Sequence, residues 1–287
     1  MTYFRNVFVV LCMGLLLASC EKEVSKEIVV NTDPNFLGVN CRISKINYSD
    51  SATGAAIGSI AANINLSNQT TNINQFDSLS GFLEFFQSPV YSNDTIYLGC
   101  GEYYVVAGTD KLVQKHHGLV DPGNPVSAGF DVLYTYNATG NLVKKTRTTT
   151  SLPAVVESEV NYSYEANGNM VAMTHRNMIT GFLVSDASMQ FSPITVPKNY
   201  LCLFPDETVS AREIPFFNFG KPPYNALEYV KLRHYSGAGA LADSLQSTFS
   251  NYQLSSDNYV LKVMMKGDNQ PCLPVKKGLL SFSYHCN

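Results

Sequence analysis

The sequence has no tryptophan, and only 15% of its residues are charged. An average soluble protein carries roughly 25%. The low charge excludes a charge-rich disordered chain, because hydrophobic residues still make up 45% and can build a core. A basic face is missing as well. The formal net charge is -3 over 287 residues, so a nucleic-acid partner, which needs many phosphate-neutralising cations, is not expected. Beyond the N-terminus there is no run of about 20 apolar residues, the length a helix needs to cross a bilayer. Close cysteine pairs are absent, which disfavours a zinc site. So are the phosphate-cradling glycine loop, the His-Glu-x-x-His pair, the acidic calcium loop and the Gly-x-Ser-x-Gly elbow. Ser236, in His234-Tyr235-Ser236-Gly237, lacks the first glycine of that elbow. Neither an enzymatic activity nor a cofactor is expected from these motifs.

What is present begins with an address. Arg5 precedes an apolar run from Val7 to Leu17, which ends in Leu17-Ala18-Ser19-Cys20. The run is too short to span a membrane and fits the apolar centre of a secretory signal. The Leu-Ala-Ser-Cys ending resembles the lipobox of bacterial lipoproteins. That resemblance implies that residues 1–19 are removed and that Cys20 is lipidated, giving a membrane partner through its acyl chains. Each buried acyl CH₂ contributes about 0.8 kcal/mol, so two or more chains hold firmly. Glu21-Lys22-Glu23 follow. They resemble the surface-export signal of Bacteroidota lipoproteins, with a solvated linker as the other reading. Residues 20–35 are expected to be a lipidated tether, and residues 36–287 a single β-rich domain.

Seven cysteines occur. With Cys12 in the signal and Cys20 lipidated, Cys41, Cys100, Cys202, Cys272 and Cys286 remain. Five cannot all pair, and export permits disulfides. A bridge between Cys272 and Cys286 across the last hairpin is one reading.

The body of the chain contains an internal repeat. Residues 134–147 (YTYNATGNLVKKTR) align with residues 162–175 (YSYEANGNMVAMTH) at a spacing of 28. Each copy is a strand, a Gly/Asn turn and a second strand, with Gly140 and Gly168 where the turn needs a positive φ. Strict alternation over 160–165 and 280–286 marks strands with one packed and one wet face. Further strands are expected at 41–48, 82–86, 95–98, 103–106, 111–115 and 229–235, with a strand-turn-strand unit over 252–263. Short helices are expected at Asn72 to Gly81 and Asp206 to Ile214. The fold class is all-β: a large twisted antiparallel meander, curling toward a closed or half-closed barrel because curling removes exposed edges.

The Tyr-x-Tyr…Gly-Asn pattern resembles the YD repeats of Rhs-type exported proteins, although Tyr136-Asn137 and Tyr164-Glu165 stand in place of Tyr-Asp. Lipobox and hairpins together resemble a Bacteroidota lipoprotein family of unknown function with a porin-like β fold. Phe282-Ser283-Tyr284-His285-Cys286-Asn287 is similar to that family's Tyr-rich last strand, and Phe217 to Pro223 to its Asn-Pro loop. The resemblance implies a wide antiparallel sheet and no assigned activity.

Candidate chemistry is sparse. Tyr134, Tyr136, Tyr162 and Tyr164 form a candidate ligand platform, with Tyr103 and Tyr104 beside them, since tyrosine offers a flat apolar face with a polar handle. The rival reading makes them core-facing and cross-strand residues. His116 and His117 are adjacent, so a strand points them to opposite faces as exposed strand-end residues. Glu84, Glu102, Glu157 and Glu159 could supply a glycosidase pair only if the fold set two of them about 5 to 10 Å apart. The leading functional expectation is an outer-membrane, lipid-anchored binding or surface module for a glycan or an envelope protein. The alternative is a periplasm-facing carrier of a lipid or other apolar ligand inside the curved sheet.

Overall fold

The computed structural model describes residues 41–120, 128–196, 204, 215–270 and 276–286. The signal, Cys20 and the tether lie outside these residues, as do Cys202, Cys272 and the helix expected at Asp206 to Ile214. Seventeen strands are described: β1 (Cys41–Ser49), β2 (Ala56–Ile64), β3 (Thr70–Asp77), β4 (Leu83–Gln87), β5 (Val90–Ser92), β6 (Thr95–Gly99), β7 (Glu102–Ala107), β8 (Leu112–Leu119), β9 (Gly129–Tyr136), β10 (Leu142–Thr149), β11 (Val156–Tyr164), β12 (Met170–Asn177), β13 (Leu183–Thr195), β14 (Asn225–Tyr235), β15 (Leu241–Leu254), β16 (Val260–Gly267) and β17 (Gly278–Cys286). They form one antiparallel sheet within the unit Leu37–Asn287. The helix expected at Asn72 to Gly81 is instead β3 and its following turn.

Except between β4 and β5, each strand pairs with its chain neighbours, and β1 pairs with both β2 and β17. The sheet therefore curls until its first and last strands meet. Cys41 sits opposite Cys286 in that register, and the two are joined by a disulfide. Cys286 is thus bonded to Cys41 and not to Cys272; Cys100 is free and exposed. The sheet is not closed. β4 hydrogen-bonds β3 and β5 hydrogen-bonds β6, but no ladder joins β4 to β5 among the described residues. At Ser88-Pro89 the chain passes from one edge to the other. Proline has no N–H to give a ladder, which suits it to such a place.

Two turn designs account for most of the hairpins. In residues 65–69, 137–141, 165–169, 236–240 and 255–259 the first N–H bonds the fifth carbonyl and the fourth N–H bonds the first carbonyl, at 2.8–3.1 Å. The fourth residue has positive φ each time: Asn68, Gly140, Gly168, Gly239 and Asn258. Only glycine and asparagine enter that region readily. In the second design, residues 50–55, 77–82 and 177–182 open with Asp50, Asp77 and Asn177. Each Oδ1 accepts two backbone N–H groups of its own turn. These carboxamide and carboxylate oxygens hold the turn shut, a local bond that Asp and Asn make well.

The sheet's inward face is the core. Ile46, Ile60, Ile73, Val113, Val230, Leu232 and Leu280 are fully buried there. At the end of the sheet holding Cys41 and Cys286, here the tail end, lie the described residues of the connection between β13 and β14. That connection inserts Phe204, Phe216, Phe217 and Phe219. Phe217 and Phe219 meet the Tyr104 ring edge-on at 5.4 and 5.6 Å. Phe219 also meets Tyr134, and Phe204 meets Tyr162. The backbone is pinned as well: Lys221 N–H donates to the Gly140 carbonyl and Val113 N–H to the Asn218 carbonyl. Gly220, at φ +104°, lies so close that a Cβ would come within 2.8 Å of the Gly140 carbonyl oxygen.

Outward positions are polar. Lys144 pairs with Glu159, Arg233 with Asp186 and Lys115 with Asp131 across neighbouring strands. Between them stand Thr146, Asn161, Thr174, Ser188, Lys231 and Gln246. Many exposed large apolar residues lie at the other, far end and beside the β4–β5 seam, among them Leu79, Phe82, Leu152, Ile179 and Leu241, with Phe76, Leu83 and Phe86, while Leu66 and Tyr224 are exposed at the tail end and Leu133 on the outward face.

Candidate functional site: an inward polar belt

The inward face changes character along the strands. On β8 it runs from Val113 to His116, on β10 from Leu142 through Lys145 to Arg147. On β12 it runs from Met170 and Met173 to His175, and on β14 from Val230 and Leu232 to His234. The apolar end of each series lies at the tail end, on the aromatic plug. Register joins the polar ends into two rows. Tyr104, His116, Val132, Arg147, Ser158 and Asn177 stand opposite one another in succession. So do Tyr134, Lys145, Val160, His175, Ser185, His234 and Asp243.

The Arg147 guanidinium lies 3.8 Å over the Phe130 ring. Its Nε donates to Glu157 Oε2 at 2.8 Å. Stacking on an aromatic face while a carboxylate takes one edge is an arrangement that arginine favours. Both side chains keep contact with solvent, at 31% and 33% exposure, although they stand on the inward face. The His116 ring also meets Phe130, edge-on at 5.9 Å, and lies 4.9 Å from Tyr104. Its Nε2 is buried without a hydrogen-bond partner. Burial, followed by the positive charges of His117 and Arg147, lowers the His116 pKa to about 4, with Asp131 opposing. Deeper, the Lys145 ammonium lies 5.9 Å from the Tyr162 ring centre, and the residue is 1% exposed. Across the row, His234 Nδ1 faces Asp243 at 3.9 Å.

Of the sequence-derived candidates, Tyr104, His116, Tyr134 and Glu157 stand in the belt, and Tyr162 lies against Lys145. Tyr134 and Tyr162 are core residues. Tyr136 and Tyr164 are half-buried, and their hydroxyls donate to backbone carbonyls, Tyr136 to Val113 at 2.6 Å and Tyr164 to Leu142 at 2.7 Å. Tyr252 and Tyr284 make the same bond, to Leu227 and Val260. The second tyrosine of the repeat is thus a clasp between the ends of paired strands. Tyr103 stacks on His117 at 4.9 Å. His116 and His117 do face opposite ways, but His116 is inward and mostly buried, not an exposed strand-end residue. His117 is outward, its Nδ1 2.8 Å from Asp131. Burial would raise the Asp131 carboxyl, yet hydrogen bonds from Lys115 and His117 hold it below its ordinary value.

Each of the four glutamates has its own partner: Glu84 takes Gln75, Glu102 takes the Leu119 N–H, Glu157 takes Arg147 and Glu159 takes Lys144. Sequence reading missed Arg147, His175 and His234. The signal was there in part, because Arg147 and His175 occupy the same position of the 28-residue repeat.

No family model and no curated protein matches the chain. Among solved structures it is similar to a porin-like protein from Bacteroides uniformis ATCC 8492, at 12% identity and TM-score 0.55, over 85% of this chain and 98% of that one. A porin-like protein from Bacteroides vulgatus ATCC 8482 matches at 10% identity and TM-score 0.47, over 86% and 99%. The Photorhabdus luminescens Tc holotoxin pore matches at 9% identity and TM-score 0.23, over 83% of this chain and 14% of that one. At such identities the first of these establishes likeness of fold: the chain has an all-β antiparallel sheet similar to that of a Bacteroides porin-like protein.

Proposed function

We propose that the protein is an envelope lipoprotein, held in the outer membrane by lipid on Cys20, whose β body is a non-enzymatic binding module facing water. The observation that carries this reading is the polarity of the sheet. Its inward face is packed, and its outward face bears Lys144, Glu159, Asp186, Lys231 and Arg233. A membrane-spanning barrel has the reverse arrangement, an apolar outer band, and a Lys or Arg on that band costs about 2–4 kcal/mol at the bilayer midplane. A body of this kind needs a separate anchor, and the Leu17-Ala18-Ser19-Cys20 ending supplies one. A carrier role for an apolar cargo is the weaker reading, because Phe204, Phe216, Phe217 and Phe219 already occupy the inward apolar surface.

The test is acyl labelling and protease treatment of cells producing the full-length chain or its Cys20→Ala variant. Label on the parent that is lost in C20A, with digestion in intact cells, is the expected result. An unlabelled parent overturns the anchor. Digestion only after lysis moves the module to the periplasmic face.

A further inference from the structure

We infer that the Arg147 end of the inward belt is a binding site for an oxyanion group, a carboxylate, sulfate or phosphate, seated on the guanidinium beside Phe130 and His116. This goes beyond the anchored-module reading and does not depend on where the protein is held.

Three features of the geometry support it. First, Arg147 uses only Nε toward Glu157 among the described residues, so the fork of its two terminal nitrogens is not engaged. That fork matches the two oxygens of a carboxylate, sulfate or phosphate, which is why arginine dominates such sites. Second, the guanidinium is already fixed, by the Phe130 ring beneath it and Glu157 at its edge. Little side-chain freedom remains to be lost on binding. Third, the buried Nε2 of His116 has no partner. A buried polar atom left so calls for an explanation such as an absent ligand. The charged and titratable groups around this imidazole are His117 on its own strand, Asp131 on β9, and Lys145 and Arg147 on β10. Glu157 on β11 takes one edge of Arg147. Burial is the first cause of the neutral ring, but His117, Lys145 and Arg147 add to it against Asp131, so an arriving anion relieves the part of the depression that these cations cause. The solvent contact of the Arg147 side chain gives the anion its approach.

Linkage makes the claim measurable. An anion that neutralises the field of Arg147 raises the proton affinity of His116, and protonated His116 binds the anion more tightly by the same factor. The experiment is an NMR titration of the His116 ring in the purified full-length chain at constant ionic strength. The separate probes are inorganic sulfate, inorganic phosphate and glucuronate. We expect at least one of them to raise the His116 pKa saturably, by about one unit or more. The probe that does so identifies a sulfate, phosphate or sugar-carboxylate source.

Arg147→Gln is expected to weaken that binding about tenfold or more, and Arg147→Lys by less, because a point charge replaces a fork. Glu157→Gln is expected to tighten it about threefold by removing a competing carboxylate. A pKa that stays put with all three probes overturns the proposal. So does equal binding by Arg147→Gln, or weaker binding by a folded Glu157→Gln. Should Arg147→Gln fail to fold, Arg147→Lys and Glu157→Gln decide the matter. Loss of acyl labelling at Cys20 would leave all these outcomes unchanged, so the two readings fail separately.

Discussion

His116 is a neutral imidazole in the folded protein at every pH above about 4, while an unfolded chain protonates it near 6.5. The sign follows directly. Between those values the unfolded state binds the extra proton, so this residue's contribution is full above pH 6.5 and is lost as pH falls toward 4. The depression corresponds to about 3 kcal/mol at most. Denaturant melts between pH 7 and pH 4 should show this loss, and a His116→Gln variant should lack that part of it; identical slopes in both would exclude the residue as the cause. The tyrosine repeat belongs to the same scale. That Tyr134 and Tyr162 alternate with polar residues was legible in the sequence, and so was their place in strands. The clasps made by Tyr136 and Tyr164 were not, because the acceptor is a carbonyl on a neighbouring strand and leaves no trace in residue identity.

Alternation identifies a strand only while inward positions are apolar and outward ones polar. β3 reverses that order in part: Gln75 is inward and buried, and Phe76 is outward and exposed. The period of two was hidden, and the segment passed for a helix. β11 and β17 keep the order, and both were legible from sequence alone. The reversed strand lies next to the seam. There, among the described residues, β4 has a ladder only with β3, and β5 only with β6. Strands paired on one side open with less cooperation than strands paired on both. Hydrogen exchange should therefore be fastest, among the strands, at Leu83–Gln87 and Val90–Ser92, and about tenfold or more slower at β10 to β12. Equal protection across both groups would mean that β4 and β5 find partners in solution.

At the scale of the whole molecule, the polar belt explains why one sequence could show the fold and conceal the site. His116, Arg147, His175 and His234 come from four strands, and register alone sets His116 in one row with Arg147 and His175 in another with His234. No local spacing encodes that. The disulfide was concealed for the same reason, since Cys41 and Cys286 are 245 residues apart. A crosslink closing so long a loop restricts the unfolded chain strongly, and its removal is expected to cost about 5 kcal/mol. Denaturation midpoints with and without reductant measure this, with a Cys41→Ser/Cys286→Ser variant as the reference that reductant should not move.

The meeting of β1 with β17 also has a consequence in time. A ribosome delivers β1 first and β17 last. At roughly 5–20 residues per second, tens of seconds separate them. Throughout that interval β1 has one vacant edge, which the finished protein fills with its own final strand. A nascent chain of this design is thus an unfinished seam awaiting its last stitch, exposed until then to any other strand that passes. Loss of the nine residues of β17, Gly278–Cys286, would leave it so permanently.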